Sequence, residues 1–187
     1  NIEQIAQTVK DVEEAHGKID ILCNNAGAGM TDKAEDTSDE MWNTMMDTNV
    51  NGPFYFAREV GKGMIERGYG KILMTGSIHS TVAMKEMPIS AYATTKGAIE
   101  MMTKALAVEW APHNITVNAI GPAYFPSEMT QEVVSDEGFL QVIANRCPMG
   151  RPGRDGELDG AVLYFVSDAS PYTTGQLLTI DGGWTAI

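Results

Sequence analysis

SIHSTVAMKEMPISAYATTK, residues 77–96, is the stretch on which the reading of this chain turns. It carries a hydroxyl at Ser77, a phenol at Tyr92 and an ammonium at Lys96. Tyr92 and Lys96 are four apart at the start of a helical pattern, which places them one turn apart on one face. An ammonium beside a phenol favours the phenolate, so this spacing predicts a Tyr92 pKa lowered from about 10 toward neutrality. Such a phenol is a usable general acid or base. The pair alone is weak evidence, because most Tyr-x-x-x-Lys pairs on helices are solvated neighbours.

The flanking sequence supplies a context. Upstream, Lys71–Thr75 is an apolar strand that ends in Gly76-Ser77. Downstream, the helix begins at Ser90, runs to about Ala111 and closes at Pro112. Ile115–Ile120 is the next strand and turns at Gly121-Pro122. Toward the N-terminus, Ile2, Ile5, Val9 and Val12 give a helix over residues 2–15, capped by Gly17. Ile19–Cys23 reads as a strand buried on both faces, running into Asn24-Asn25-Ala26-Gly27-Ala28-Gly29. Ser38 caps a helix through Met46, and a second helical stretch spans about Asn49 to Arg67. Asp155 is expected to cap a last helix ending near Phe165, before a final strand over Gln176–Ile180 and the turn Asp181-Gly182-Gly183.

Helices alternating with short apolar strands predict an α/β fold, a Rossmann-like doubly wound parallel sheet of about four strands covered on both sides. The 187 residues suit a single domain, with the Gly-, Pro- and charge-rich segment 124–154 as a candidate substrate lid within it. In such a sheet the carboxyl ends of the strands share one rim, where ligands bind. Ser77, Tyr92 and Lys96 are therefore expected to meet there, joined by Asn49. His79 and Lys85, in the loop after Ser77, are placed to touch substrate, but read more readily as surface residues. Arg146, Arg151 and Arg154, beside the lid, fit an anionic substrate, solvent or a subunit contact equally well.

Composition narrows the function. Thirteen Lys and Arg face 25 Asp and Glu, a net charge of −12. That surface repels phosphate backbones and anionic bilayers, which disfavours nucleic-acid and membrane partners. Cys23 and Cys147 show no metal spacing and read as buried free thiols of a reducing, cytoplasmic compartment.

Six landmarks in order resemble the short-chain dehydrogenase/reductase family. They are Asn24-Asn25-Ala26-Gly27, Asn49-Val50-Asn51-Gly52, Gly76-Ser77, Tyr92-Ala93-Thr94-Thr95-Lys96, Val117-Asn118-Ala119-Ile120 with Pro122, and Asp181-Gly182-Gly183. The resemblance implies an NAD(P)-dependent oxidoreductase interconverting a secondary alcohol and a ketone. It implies catalytic roles for Asn49, Ser77, Tyr92 and Lys96. Ser77 would bond the substrate oxygen and Tyr92 would give or take the proton. Lys96 would tune Tyr92 and hold the nicotinamide ribose, and Asn49 would position a water. Asn24, Asn25, Ala26, Gly27, Tyr92, Lys96, Pro122, Ala123, Ser127 and Met129 would contact the cofactor, NAD or NADP. Two positions depart from the family pattern: Ala123 stands where glycine is usual after the proline, and Ser127 where the lid usually begins with threonine.

Within the family, residues 119–125 and the ending Asp181–Trp184 resemble gluconate 5-dehydrogenases, so gluconate and 5-ketogluconate are the expected small-molecule substrates. The 3-oxoacyl-[acyl-carrier-protein] reductases are the alternative, and a catalytically inactive oligomeric scaffold is a second. A homotetramer through helices 41–65 and 91–110 is the implied assembly. The family's opening strand, glycine-rich turn and helix have no counterpart upstream of Asn24. The expectation is a longer native chain that includes on the order of 60 further residues, at about 30 per βαβ unit.

Overall fold

A computed structural model describes all 187 residues. Four strands, β1 (Ile21–Asn24), β2 (Gly70–Thr75), β3 (Ile115–Pro122) and β4 (Leu177–Ile180), form one sheet in the order β1-β2-β3-β4. All three pairings are parallel, with Ile72 opposite both Leu22 and Val117, and Ala119 opposite Leu177. The helices are α1 (Ile2–His16), α2 (Asp39–Met46), α3 (Gly52–Arg67), α4 (Ser90–Trp110), α5 (Gln131–Ser135), α6 (Glu137–Arg146) and α7 (Asp159–Val166). Parallel strands need crossovers, and helices α3, α4 and α7 lie on the connections between successive strands.

Alternation along the strands sorts side chains to the two faces. Ile72 and Met74 of β2 and Ile115, Val117 and Ala119 of β3 pack against Val60 and Met64 of α3 and Ile99 and Leu106 of α4. Val9 brings α1 onto the same core. On the other face Leu73 and Ile120 meet Phe165 of α7. A third cluster joins Ile78, Ile143 and Cys147 to Trp184 and binds α6 to the sheet's rim. Asn118 is buried and fastens β4 beside β3. Its Nδ2 donates to the Thr173 carbonyl at 2.8 Å, and its Oδ1 accepts from the Gln176 N–H at 3.1 Å.

Most expected elements stand where the patterning put them. Gly17 caps α1 with φ 85°, and the Ser38 hydroxyl accepts from the Met41 N–H. Four expectations need correction. First, β1 is not buried on both faces. It pairs only with β2, and α7 does not reach it, so Ile21 is 45% exposed. Second, for the same reason Cys23 is exposed, while Cys147 is buried as expected. Third, Asp155 does not cap the last helix. Gly156 takes φ 83°, outside helical backbone, and α7 starts at Asp159. Fourth, the two helical stretches before β2 are one rod with a π turn at Asp47–Asn51. The Gly52 N–H reaches back to the Asp47 carbonyl, and Pro53, which has no N–H, cannot serve the carbonyl of Asn49.

Replacing Asn118 with Ala leaves two part-buried backbone groups, the Thr173 carbonyl and the Gln176 N–H, without this partner. At about 1 kcal/mol each for groups that water partly reaches, the cost is on the order of 2 kcal/mol of unfolding free energy by urea titration. A loss below about 0.5 kcal/mol would show that Asn118 does not hold β4.

Candidate active site

The carboxyl rim of the sheet opens into a cleft of about 750 Å³. Its walls are the Asn25–Gly29 loop after β1, Thr75–Ser77 at the end of β2, Tyr92 and Lys96 of α4, Pro122 and Ala123 at the end of β3, and the Ser127–Thr130 turn. Each segment arrives because its strand or helix ends there, so residues far apart in sequence share one wall.

Ser77 follows β2 and starts a short 3₁₀ turn, Ile78–Ser80. The Ser77 hydroxyl accepts from the His79 N–H at 3.1 Å, and Ser80 Oγ accepts from the Ser77 N–H at 3.2 Å. Ser80 Oγ also donates to the Lys96 carbonyl at 2.8 Å. This reciprocal cap locks the Ser77 turn to the first turns of α4, where Tyr92 and Lys96 sit.

Lys96 is buried, with 5% of its surface exposed. Its Nζ donates to the Thr75 carbonyl at 2.8 Å and lies 5.7 Å from the centre of the Tyr92 ring. Burial disfavours the ammonium and lowers its pKa from 10.5 to about 8. Tyr92 is half-buried, and burial pushes its phenol above 10, opposed by the nearby Ser77 hydroxyl. The expectation of a Tyr92 pKa lowered by Lys96 is thus reversed in this structure. Desolvation outweighs the ammonium, which is committed to a backbone carbonyl.

Asn49, brought inward by the π turn, is 1% exposed. Its Oδ1 accepts from the Ala28 N–H at 2.7 Å, and its Nδ2 donates to the Ala28 carbonyl at 2.8 Å and to Thr95 Oγ1 at 3.0 Å. Thr95 Oγ1 donates to the Tyr92 carbonyl at 2.8 Å. One side chain therefore joins the first loop to the first turns of α4.

Of the expected cofactor contacts, Asn25, Ala26, Gly27, Tyr92, Lys96, Pro122, Ala123, Ser127 and Met129 all line the cleft. Asn24 does not. Its Nδ2 donates to the Pro53 carbonyl at 3.1 Å and points at Met74 Sδ, so it pegs β1 to α3. Asn25 Oδ1 accepts from Thr75 Oγ1 at 3.2 Å. Ser127 Oγ pairs with Thr130 Oγ1 at 2.8 Å. Of the arginines beside the lid, Arg146 is paired with Glu86 and Arg151 with Glu157.

The sequence reading gives too little weight to two residues, His79 and Tyr124, which line a smaller cavity that shares Ser77 and Tyr92 with the cleft. His79, expected at the surface, is 7% exposed and lies between Val82 and Tyr124. Tyr124 enters the sequence reading only as part of the lid stretch. The available signal was position: His79 is two residues beyond Ser77 in the same tight turn.

The cleft fits a nicotinamide cofactor on its own chemistry. A Cβ on Gly29 would come 2.8 Å from Met129 Sδ, so the loop's small residues keep this wall open. Lys96 uses one of its three N–H donors on Thr75, leaving two for ribose hydroxyls.

A family model described as enoyl-(acyl carrier protein) reductase matches residues 1–185. Fold, site and match together define the class: the chain belongs to the short-chain dehydrogenase/reductase family and is an NAD(P)-dependent oxidoreductase. It is 39% identical over 183 residues to the gluconate 5-dehydrogenase of Gluconobacter oxydans, covering 98% of this chain and 71% of that one. It is 37% identical over 180 residues to the 5-keto-D-gluconate 5-reductase of Escherichia coli K12, covering 96% and 70%. A crystal structure of a gluconate 5-dehydrogenase from Burkholderia cenocepacia in complex with NADP and tartrate superimposes with a TM-score of 0.97 at 36% identity, over 100% of this chain and 72% of that one.

The Lys96 shift has a consequence for stability. Unfolded lysine keeps its proton to about pH 10.5, whereas folded Lys96 releases it near 8. Between those values the unfolded state binds more protons, so stability rises with pH; below 8 the cost of the buried charge is fully present. Subtracting the unfolding free energy of Lys96→Met from that of the wild type, at each pH, isolates this contribution. The difference should climb by up to roughly 3 kcal/mol between pH 7.5 and 10.5. A flat difference would contradict a buried, depressed Lys96.

Proposed function

We propose that the cleft interconverts a secondary alcohol and a ketone of a polyhydroxy acid, with gluconate and 5-ketogluconate as the substrate pair. The observation that carries the reading is the placement of Ser77 and Tyr92 on one cavity wall, with Lys96 beside the Tyr92 ring. The related gluconate 5-dehydrogenase and 5-keto-D-gluconate 5-reductase support the choice of substrate.

In ketone reduction, Tyr92 Oη holds the proton that the carbonyl oxygen takes up. Ser77 Oγ hydrogen-bonds the same oxygen and fixes its direction. Lys96 Nζ stays anchored on Thr75 and offers its remaining N–H groups to the ribose. Asn49 keeps the Ala28 loop and α4 in register, a positioning role. Asn25, Ala26, Gly27, Pro122, Ala123, Ser127 and Met129 form the walls that hold the nicotinamide end. When bound, the cofactor, NAD or NADP, supplies or accepts the hydride. Residues 124–154 close over the substrate as a lid. The exposed Trp42, Phe54, Met101 and Val108 support assembly into a tetramer through helices 41–65 and 91–110. We place the protein in the cytoplasm; no helix is long and apolar enough to cross a membrane.

A second reading, reduction of the 3-oxo group of an acyl-carrier-protein thioester, has in its favour the carrier protein named in the family description. The net charge of −12 opposes docking of an acidic carrier. Turnover of 5-ketogluconate should exceed that of an acetoacetyl thioester; no activity on the former would sink the first reading. Tyr92→Phe should lower kcat by about 10²–10⁴ while leaving nucleotide affinity, measured by fluorescence titration, nearly intact. Retained turnover would remove Tyr92 as the acid.

A further inference from the structure

His79 and Tyr124 line a smaller cavity that shares Ser77 and Tyr92 with the cleft, and no chemical role above is given to either side chain. A cavity of about 120 Å³ is bounded by Ser77, Tyr92, His79 and Tyr124 together with the apolar Met87 and Ile89. The His79 ring meets those of Tyr92 and Tyr124 edge-on, with centroids 6.3 and 6.2 Å away.

Donor and acceptor roles follow from the partners. His79 Nδ1 lies 3.0 Å from the Val82 carbonyl oxygen. A carbonyl only accepts, so Nδ1 carries a proton. Burial lowers the His79 pKa and keeps the ring neutral. Its Nε2 is then an acceptor, 3.1 Å from the Tyr124 oxygen, and takes the phenolic hydrogen. Met84 Sδ, also 3.1 Å away, is the weaker acceptor. Burial pushes the Tyr124 phenol well above its ordinary pKa, so it stays un-ionised. Phe139 and Trp184, with ring centroids 4.9 and 5.3 Å from that of Tyr124, hold the ring in place. With its hydrogen committed to His79, Tyr124 Oη has lone pairs left to accept from a ligand. A keto group offers it nothing, whereas a substrate hydroxyl does.

We propose that Tyr124, its proton locked onto His79, is a specificity-determining acceptor that selects substrates with a hydroxyl beside the reacting carbon. The inference rests on the reading of Ser77 and Tyr92 as the reacting pair. It also gives that reading a means of discrimination, because the methylene groups flanking the ketone of an acyl thioester leave this acceptor unsatisfied.

The test compares kcat/KM for 5-ketogluconate with that for 2-hexanone, a ketone without hydroxyls. In Tyr124→Phe the ratio of the two should fall about tenfold, through the KM for 5-ketogluconate, the size of one lost hydrogen bond. His79→Leu should lower the ratio similarly. His79→Gln, whose Oε1 can accept from Tyr124, should restore it to within about threefold of the wild type. An unchanged ratio in Tyr124→Phe overturns the proposal while leaving the catalytic reading intact. Failure of the wild type on both ketones removes the catalytic reading, and the proposal with it. Independently of turnover, ¹⁵N-histidine NMR should show His79 as the Nδ1–H tautomer, with His79→Gln assigning the signal among the three histidines. An Nε2–H tautomer overturns the proposal.

Discussion

The cleft depends on the hydrogen bonds of Asn49. Four chain segments and a helix meet at the sheet's rim. Asn49 takes both backbone groups of Ala28 and gives its second N–H to Thr95, which in turn bonds the Tyr92 carbonyl. A side-chain amide suits this because it donates and accepts from adjacent atoms. An ordinary α-helical path through residues 47–51 would not have the turn's widened geometry. Pro53, by withholding an N–H, makes the π turn compatible with the backbone hydrogen-bonding pattern. The Ser77–Ser80 cap does the parallel service on the other side by tying the end of β2 to the Lys96 carbonyl.

Within this frame burial governs the chemistry. Tyr92 and Lys96 are neighbours, but water exclusion acts on both more strongly than they act on each other. The phenol holds its proton more tightly than usual and the ammonium less tightly. A phenol that retains its proton is a stored acid for a ketone oxygen. The lysine, fixed to Thr75, contributes placement as well as charge. In the smaller cavity His79 and Tyr124 repeat the pattern: a buried neutral ring and a buried phenol, with roles set by which neighbour can only accept.

Much of this was legible in the sequence, because hydrophobic period and turn residues are local. The runs at Lys71–Thr75 and Ile115–Ile120 read as strands and are strands, and Tyr92 and Lys96 share a face because four-residue spacing requires it. What was not legible depended on neighbours distant in the chain. Ile19–Cys23 has the composition of a doubly buried strand, yet its exposure is set by what α7 covers. Asp155 has the side chain of a helix cap, but the positive φ of Gly156 moves the start of α7 to Asp159. His79 looked like a loop residue because its partners are a carbonyl three residues on and a phenol 45 residues away. Asn24 matched a motif, but its amide is used inward on Pro53. The direction of the Tyr92 shift is not legible in the sequence, because spacing reports proximity to Lys96 and says nothing of desolvation.

Burial in the folded cleft favours the protonated phenol of Tyr92. The direct measurement is a titration of ¹³Cζ-labelled tyrosine by NMR from pH 7 to 11.5, with Tyr92→Phe assigning one of the six resonances. Tyr92 should remain a neutral phenol past pH 10, with a midpoint above that of an ordinary exposed tyrosine. A midpoint near neutrality would contradict it, and would mean that the Lys96 ammonium, not burial, sets the acidity of the site.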